Sequence, residues 1–238
     1  MSNPHIQNIS VAEADPRSRA AFIRRTFVHL GISILLFGLL EAYLVNSPVS
    51  AALMNALSGS SYSWLVVLVL FMGVSWLANW LARSDFPQEI QYVGLGLFIV
   101  AEAFVFLPLL YMAAHYSSPL VIPVAGALTG VFVAALIAVA FITRKDFSFL
   151  GTGLTIFSFV ALGVIVASIF LGFQLGIWFA ALMVLFAGGC VLYDLSNIIH
   201  HYRTDQHVAA SLALFASIAI LFYYILRIVM SLMGGRRD

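Results

Sequence analysis

The chain has 238 residues, of which 63% are hydrophobic and only 9% are charged, whereas a soluble domain carries about 25% charged residues. With several apolar runs of about twenty residues, this composition predicts a polytopic membrane protein and excludes a soluble globular domain. The formal net charge is +1, so nothing in the composition indicates a nucleic-acid partner.

The apolar runs are continuous rather than alternating, which predicts membrane-spanning helices instead of a barrel. Residues 1–25 are polar and lack hydrophobic periodicity, so we expect a disordered tail ahead of a helical bundle over residues 26–238. This segment also lacks the apolar core and cleavage site of a signal peptide. The seven predicted spans are Thr26–Asn46, Tyr62–Ala82, Ile90–Ala113, Leu120–Thr143, Phe149–Phe173, Ile177–His200 and Ala209–Met233.

Basic residues near the span ends predict the orientation of the bundle. The tail and the loops after spans two, four and six share one side, which holds eight basic residues against two on the other side. We therefore expect the N-terminus in the cytoplasm and the C-terminus outside. The eight are Arg17, Arg19, Arg24, Arg25, Arg83, Arg144, Lys145 and Arg203, and the two are Arg236 and Arg237.

Four ionisable residues lie inside the predicted spans: Glu41, Glu102, Asp194 and Arg227. An aspartate at a helix centre costs roughly 2.5–3.5 kcal/mol of insertion free energy, so such a group is a candidate functional residue. Helical rise places Asp194 about 9 Å from the cytoplasmic end of span six. Two interpretations stay open for Arg227 with Glu41 or Glu102. The residues form a buried ion pair that fixes helix packing, or they are part of an ion pathway.

Small residues indicate where helices approach each other closely. Gly188 and Gly189 in span six predict such a contact. In span four a small residue recurs at every fourth position, which favours close packing inside the bundle over a homodimer face. That stripe consists of Gly126, Gly130, Ala134 and Ala138.

The polar residues near the last loop do not have the spacing of a catalytic or metal site. His201 and His207 are six residues apart and do not share a helix face, so we expect structural or interfacial roles for these histidines and for His200 and Asp205. The single cysteine, Cys190, lies in an apolar run and predicts neither a disulfide nor a Cys-based metal site. The sequence therefore predicts no enzyme and no cofactor.

Two segments resemble the transmembrane Bax-inhibitor-motif family: Thr143–Gly151 before span five and Val191–His200 in span six. A weaker match covers the Pro108 region with His115 and Tyr116. The resemblance implies an all-α fold of seven transmembrane helices in which six surround a central, hydrophobic seventh. It also implies a cytoplasmic N-terminus, in agreement with the charge count.

The calcium-leak branch of this family carries an aspartate dyad, with one aspartate in span six and the other in span seven. Asp194 matches the first, and alignment on Phe222 and Arg227 places Ser217 at the second. Two adjacent carboxylates share a proton, which is the family's proposed pH sensor. Because a serine removes the like charge, we expect weaker pH gating, shifted to lower pH. The family also implies that Arg83 latches Asp194, whereas a long side chain at a span end often extends to the headgroups instead.

Ser217, the segment Ser196–His200 and the Arg-Arg-Asp end resemble the bacterial, YccA-type branch of the family. This branch implies an inner-membrane modulator of the membrane-anchored AAA protease FtsH, with the protease and the bilayer as partners. The disordered tail is then the segment that an unfoldase grips. The alternative function is a pH-sensitive leak for calcium, protons or another cation, which would use Glu41, Glu102 and Asp194 beside span seven.

Overall fold

The computed structural model describes residues 9–59, 62–83 and 85–233, which form eight α-helices. Seven of these helices are long and apolar enough to cross a membrane, so the predicted all-α, seven-span fold is confirmed. The predicted spans agree with them to within a few residues except at the start of the first. The helices are α1 (Pro16–Val45), α2 (Pro48–Ser58), α3 (Ser63–Leu81), α4 (Gln88–Tyr116), α5 (Val121–Thr143), α6 (Leu150–Leu171), α7 (Ile177–His200) and α8 (His207–Met233).

The ends of the helices follow from local sequence. The gap between predicted spans four and five holds three charged residues, Arg144, Lys145 and Asp146. The structure breaks there, since α5 ends at Thr143 and Arg144 adopts a left-handed φ of 48°. Helix α2 lies between the first two predicted spans. It begins with a proline in its first turn, where the ring is pre-organised for helix. Its 11 residues are too few to cross a bilayer.

Helix α8 packs against α1, α4, α5 and α7 and supplies much of the hydrophobic core. Helices α3 and α6 pack mainly on α4 and α7 respectively, so an arrangement of six helices around a central seventh is not confirmed. Within the described residues α3 buries one side chain, Ala78, and α6 buries one, Ala161. Their remaining apolar surfaces face outward, as expected of helices in contact with lipid.

The small-residue stripe of α5 lies on the surface of the bundle, and the prediction of its close packing inside is wrong. The closest approach is at Gly94 of α4, where a Cβ atom would lie 2.7 Å from the carbonyl oxygen of Ala78 in α3. Periodicity of small residues does not reveal which face of a helix meets lipid. The exposed stripe residues are Gly126, Gly130, Ala134 and Ala138.

The glycine pair in α7 does meet neighbouring helices, as predicted. A Cβ atom at Gly188 would lie 3.2 Å from the Phe132 ring of α5, and one at Gly189 would lie 3.1 Å from Leu154 of α6. Both contacts are made by side chains rather than by backbone. The two glycines therefore allow α5 and α6 to pack closely against α7.

Residues 9–25 are folded, so the predicted disordered tail over residues 1–25 is wrong for this part; residues 1–8 lie outside the described residues. Helix α1 begins ten residues before the predicted span, at Pro16. Asp15 caps it by accepting hydrogen bonds from the backbone N–H groups of Arg17 and Ser18 at 3.0 and 3.1 Å. Apolar periodicity does not detect such a cap, which extends a helix beyond its apolar portion.

We call residues 9–15 the N-terminal strap, because they lie across the loop between α7 and α8. Val11 is fully buried, and its N–H donates to the carbonyl of Tyr202 at 2.8 Å. Ser10 forms an isolated antiparallel bridge with Arg203. The side chain of Arg19 donates to the carbonyl oxygens of Val11, at 2.9 Å, and Ala12. One apolar side chain and these hydrogen bonds hold the strap on the bundle.

Candidate functional site

The pair of Asp194 and Ser217 lies between α7 and α8. The Ser217 hydroxyl donates to Asp194 Oδ2 at 2.5 Å, and each residue is 8% exposed. A hydrogen bond to an ionised carboxylate is roughly twice as strong as one between neutral groups. The predicted partner of Asp194 is therefore in place, and the gating role of the pair stays a prediction.

Helical periodicity places both residues on core-facing surfaces. Val191, Leu195 and Ile198 of α7 are fully buried and surround Asp194 at helical spacing. On α8, Leu214 and Leu221 are equally buried on the two sides of Ser217. The apolar neighbours exclude water from the pair, and among the described residues the serine hydroxyl donates the hydrogen bond that the carboxylate accepts.

Arg83 does not latch Asp194. It lies exposed just after α3, and α3 packs on α4 rather than on α7. In the described part of the chain, ion pairs join His201 to Asp146 and Arg203 to Asp205, and none joins Arg83 to Asp194. The headgroup interpretation of Arg83 stays a prediction.

Sequence reasoning missed a polar network at the end of the bundle nearest Asp194. Asp146, in the loop between α5 and α6, pairs with His201 Nε2 at 3.0 Å. The other carboxylate oxygen accepts from the backbone N–H of Ser148 at 2.8 Å and from the hydroxyl of Ser196 at 3.3 Å. The Ser196 hydroxyl in turn accepts from the N–H of Phe147 at 2.8 Å.

Hydrogen bonds to the charged form favour ionisation of Asp146. The Ser148 N–H, the Ser148 hydroxyl and then His201 lower the pKa of this carboxyl from 3.8 to about 2. Ser196 lies two positions after Asp194 on α7, so the network ties the α5–α6 loop to the helix of the Asp194–Ser217 pair. Asp146 lies in the segment Thr143–Gly151 that resembles the family, so this resemblance is the sequence signal that points to the network.

Glu41 lies on α1 and is 5% exposed. Neither of its carboxylate oxygens has a hydrogen-bond partner among the described residues. An unsatisfied buried polar group costs about 1–3 kcal/mol. The side chain lines a groove of about 700 Å³ formed by α1, α4, α5 and α8.

Glu102 of α4 is 3% exposed, and its Oε2 atom also has no partner within the described residues. It lines a cavity of about 450 Å³ together with Tyr223, Tyr224 and Arg227 of α8. Arg227 donates instead to the carbonyl of Leu175 at 2.5 Å. No described ion pair joins Arg227 to Glu41 or Glu102, so of the two interpretations left open by the sequence, the structure does not contain the buried ion pair. The guanidinium extends to the loop between α6 and α7, whose carbonyl replaces a carboxylate.

Aromatic rings stand between the groove and the cavity. Phe106, which lines the cavity, has its ring centroid 5.1 Å from that of Phe37 and 6.0 Å from that of Phe222, two residues that line the groove. Asp194 is not among the described residues that line either space. The three acids therefore occupy three separate environments in this structure.

No group of three or more His, Cys, Asp or Glu side chains in the described residues is arranged to hold a metal ion. His200, His201 and His207 have different neighbours. His200 bonds to the backbone carbonyl of Ser196 at 3.0 Å, His201 pairs with Asp146, and His207 is buried next to α1 with its ring 5.1 Å from that of His29.

Fold and site together define a seven-span helical membrane protein with buried acidic residues in its bundle. The profile of the family described as "Inhibitor of apoptosis-promoting Bax1" matches residues 19–237. The chain therefore belongs to the Bax inhibitor family.

The chain has relatives in plants and in bacteria. The chain is 29% identical to Protein LIFEGUARD 4 of Arabidopsis thaliana over 224 residues, which are 90% of this chain and 85% of that protein. It is 30% identical to an uncharacterized protein of Pseudomonas aeruginosa over 229 residues, covering 92% and 93% of the two chains. It is also 38% identical over 88 residues to a protein of Escherichia coli named "Modulator of FtsH protease YccA", covering 37% of this chain and 40% of YccA.

Proposed function

We propose that this chain is a non-enzymatic modulator of the membrane-anchored AAA protease FtsH, located in a bacterial inner membrane. The observation that carries the proposal is the 38% identity over 88 residues to a protein named as a modulator of FtsH protease. Ser217, which takes the place of a dyad aspartate, is the residue that the resemblance to this branch implies.

The charge distribution supports a cytoplasmic N-terminus. The strap, the N-terminal part of α1 and the loops at the same end of the bundle carry the basic residues, and basic residues favour the cytoplasmic side. Arg236 and Arg237, which we count on the other side, lie outside the described residues. The basic residues at the strap end are Arg17, Arg19, Arg24, Arg25, Arg83, Arg144, Lys145 and Arg203.

The strap offers a mechanism for modulation. An ATP-driven unfoldase that pulls from the cytoplasmic N-terminus must first detach Val11 from its buried position against Tyr202. The long helix α1 follows, packed on α4 and α8. We infer that this order of resistance makes the chain a slow substrate that occupies the protease, so the strap sets the duration of inhibition.

The test compares Val11→Asp with the matched control Ile9→Asp, whose site is 37% exposed. In cells that contain the protease, Val11→Asp should shorten the half-life of the chain several-fold, and Ile9→Asp should not. In cells that lack the protease the two half-lives should be equal. The wild-type chain should also co-purify with tagged FtsH and slow its cleavage of a second membrane substrate in proteoliposomes. If the chain neither co-purifies with FtsH nor slows its cleavage of the second substrate, the proposal is contradicted.

A cation leak is the second candidate, and it is favoured by the burial of Glu41 and Glu102, because both Glu41 oxygens and the Oε2 atom of Glu102 have no hydrogen-bond partner among the described residues. An interaction scaffold has no need of such costly groups. The test is calcium flux into proteoliposomes, where Asp194→Asn should change the flux of the wild type. If neither the wild type nor Ser217→Asp gives a calcium flux above that of empty vesicles, the proposed leak function is excluded.

A further inference from the structure

The lateral groove that contains Glu41 has the shape of a binding site that opens sideways from the bundle. Helices α1 and α5 form its walls, and both pack on α4 and α8, which form its floor. Its volume of about 700 Å³ lies in the range of small-molecule sites. Ile34, on the α1 wall, is 43% exposed, so the groove is open on the lipid-facing side of two membrane-spanning helices.

Among the described residues that line the groove, Glu41 has the one ionisable side chain. Glu41 is only 5% exposed, and both of its carboxylate oxygens lack a hydrogen-bond partner among the described residues. The described residues that line the groove include no Lys, Arg or His. Its other polar side chains bond within their own helices, since Thr129 donates to the carbonyl of Ala125 and Asn46 to that of Ala42, each at 2.8 Å.

Glycines on both walls leave room for a chain of methylene groups. Within the described residues, no atom lies within 4 Å of the Cβ position at Gly38 of α1 or at Gly126 and Gly130 of α5. All three line the groove. The open space is therefore bounded by bare backbone, independently of the acid.

We propose that the groove binds a lipophilic primary ammonium ion, with the ammonium on Glu41 and an unbranched alkyl chain along Gly126 and Gly130. A primary ammonium supplies the missing positive charge and three donors for the two carboxylate oxygens. A neutral alcohol supplies one hydroxyl donor and no positive charge, and an alkyl sulfate supplies neither. A zwitterionic phospholipid brings a phosphate for which the groove, within the described residues, has no basic partner. Glu41 lies about 6 Å from the Val45 end of α1, within reach of an amine at the bilayer interface.

The experiment uses the full chain in phosphatidylcholine nanodiscs and a photoreactive alkyl primary amine whose cross-links are mapped by mass spectrometry. We expect saturable labelling of the α1 and α5 segments that line the groove. Dodecylamine should compete at least tenfold better than dodecanol, dodecyl sulfate or dodecyltrimethylammonium. Glu41→Gln should reduce labelling at least tenfold, whereas Glu102→Gln, which changes the buried acid of the separate cavity, should not.

Gly130→Phe tests the chain-binding part without altering the acid and should also abolish labelling. It keeps the proposal falsifiable if Glu41→Gln does not fold. Labelling that is absent in the wild type, or that dodecanol competes as well as dodecylamine does, would overturn the proposal. Loss of labelling when phosphatidylethanolamine replaces phosphatidylcholine would assign the groove to bulk lipid and would overturn it equally. None of these outcomes depends on the interaction with the protease.

Discussion

Among single residues, Asp194 shows how one hydroxyl accommodates a carboxylate inside an apolar bundle. Ser217 supplies its hydrogen bond at 2.5 Å, so Ser217→Ala should leave the acid buried and unpaired. We expect the free energy of unfolding in detergent to fall by about 1–3 kcal/mol. The control is Ser158→Ala, which removes an exposed hydroxyl bonded within its own helix. Equal loss in the two variants would contradict a stabilising role for the pair.

The network at Asp146 predicts a pH dependence of stability. The folded-state pKa is lowered from 3.8 to about 2, so the stabilisation is complete above the usual pKa and is lost as the pH falls from 3.8 towards 2. Asp146→Asn should lower the thermal midpoint by a constant amount at neutral pH, and the difference from wild type should shrink within that window. Thermal unfolding in detergent between pH 2 and pH 7 checks this. A difference that does not change with pH would exclude the carboxylate as its source.

Residue types and spacing predicted some partners and not others. The resemblance to the family implied Ser217 as the partner of Asp194, and the two residues meet because they lie in the regular parts of α7 and α8. The partner of Arg227 depended on the rotamer of a long side chain and on the path of the α6–α7 loop, which brings the carbonyl of Leu175 to it. The pairing of Asp146 with His201, 55 positions apart, depends on how loops meet, and neither periodicity nor charge counting describes loops.

At the scale of elements, the crossing of α3 and α4 depends on Gly94. A Cβ atom there would lie 2.7 and 2.9 Å from backbone atoms of Ala78 and Ala82, and backbone cannot move aside as a side chain does. Gly94→Ala should therefore reduce the free energy of unfolding by about 1–3 kcal/mol. Gly96→Ala is the matched control on the same helix, since no described atom lies within 4 Å of its Cβ position.

We expect Gly96→Ala to stabilise α4 by up to about 1 kcal/mol, because alanine loses less backbone entropy in a helix. The measurement is the thermal midpoint of each variant in detergent. If both substitutions have the same sign, the close approach of α3 to α4 does not limit the packing at this crossing.

The helices themselves were predictable because hydrophobic length is a strong signal in lipid. Their lateral order was not, because surfaces that face lipid and surfaces that face other helices are both largely apolar, so apolar periodicity does not distinguish them. The glycines of α5 and α7 looked alike in sequence. Gly188 meets a Phe132 ring, whereas Gly126 borders a groove, and only the packing of the other helices separates the two cases.

At the scale of the whole molecule, the strap connects the start of the chain to the loop that joins the last two helices. Val11 and Tyr202 are far apart in the sequence but are joined by a backbone hydrogen bond. The strap is therefore fastened to the loop between α7 and α8. Its effect is to couple the first helix to the pair α7 and α8, which contains Asp194 and Ser217. Local opening of the strap should therefore precede any larger separation of these helices.

Accessibility of the strap to protease measures this opening directly. Trypsin cleaves after Arg17, which lies in the first turn of α1 beside the capping residue Asp15. In Val11→Asp a charge replaces a fully buried apolar side chain, and a loss of about 1.4 kcal/mol in local stability raises the open population tenfold. We therefore expect cleavage after Arg17 to be at least ten times faster than in the wild type, with Ile9→Asp unchanged. Mass spectrometry of the released N-terminal peptide gives the rates. Equal rates in the three proteins would show that cleavage does not depend on the burial of Val11. The strap would then not restrain this end of the bundle.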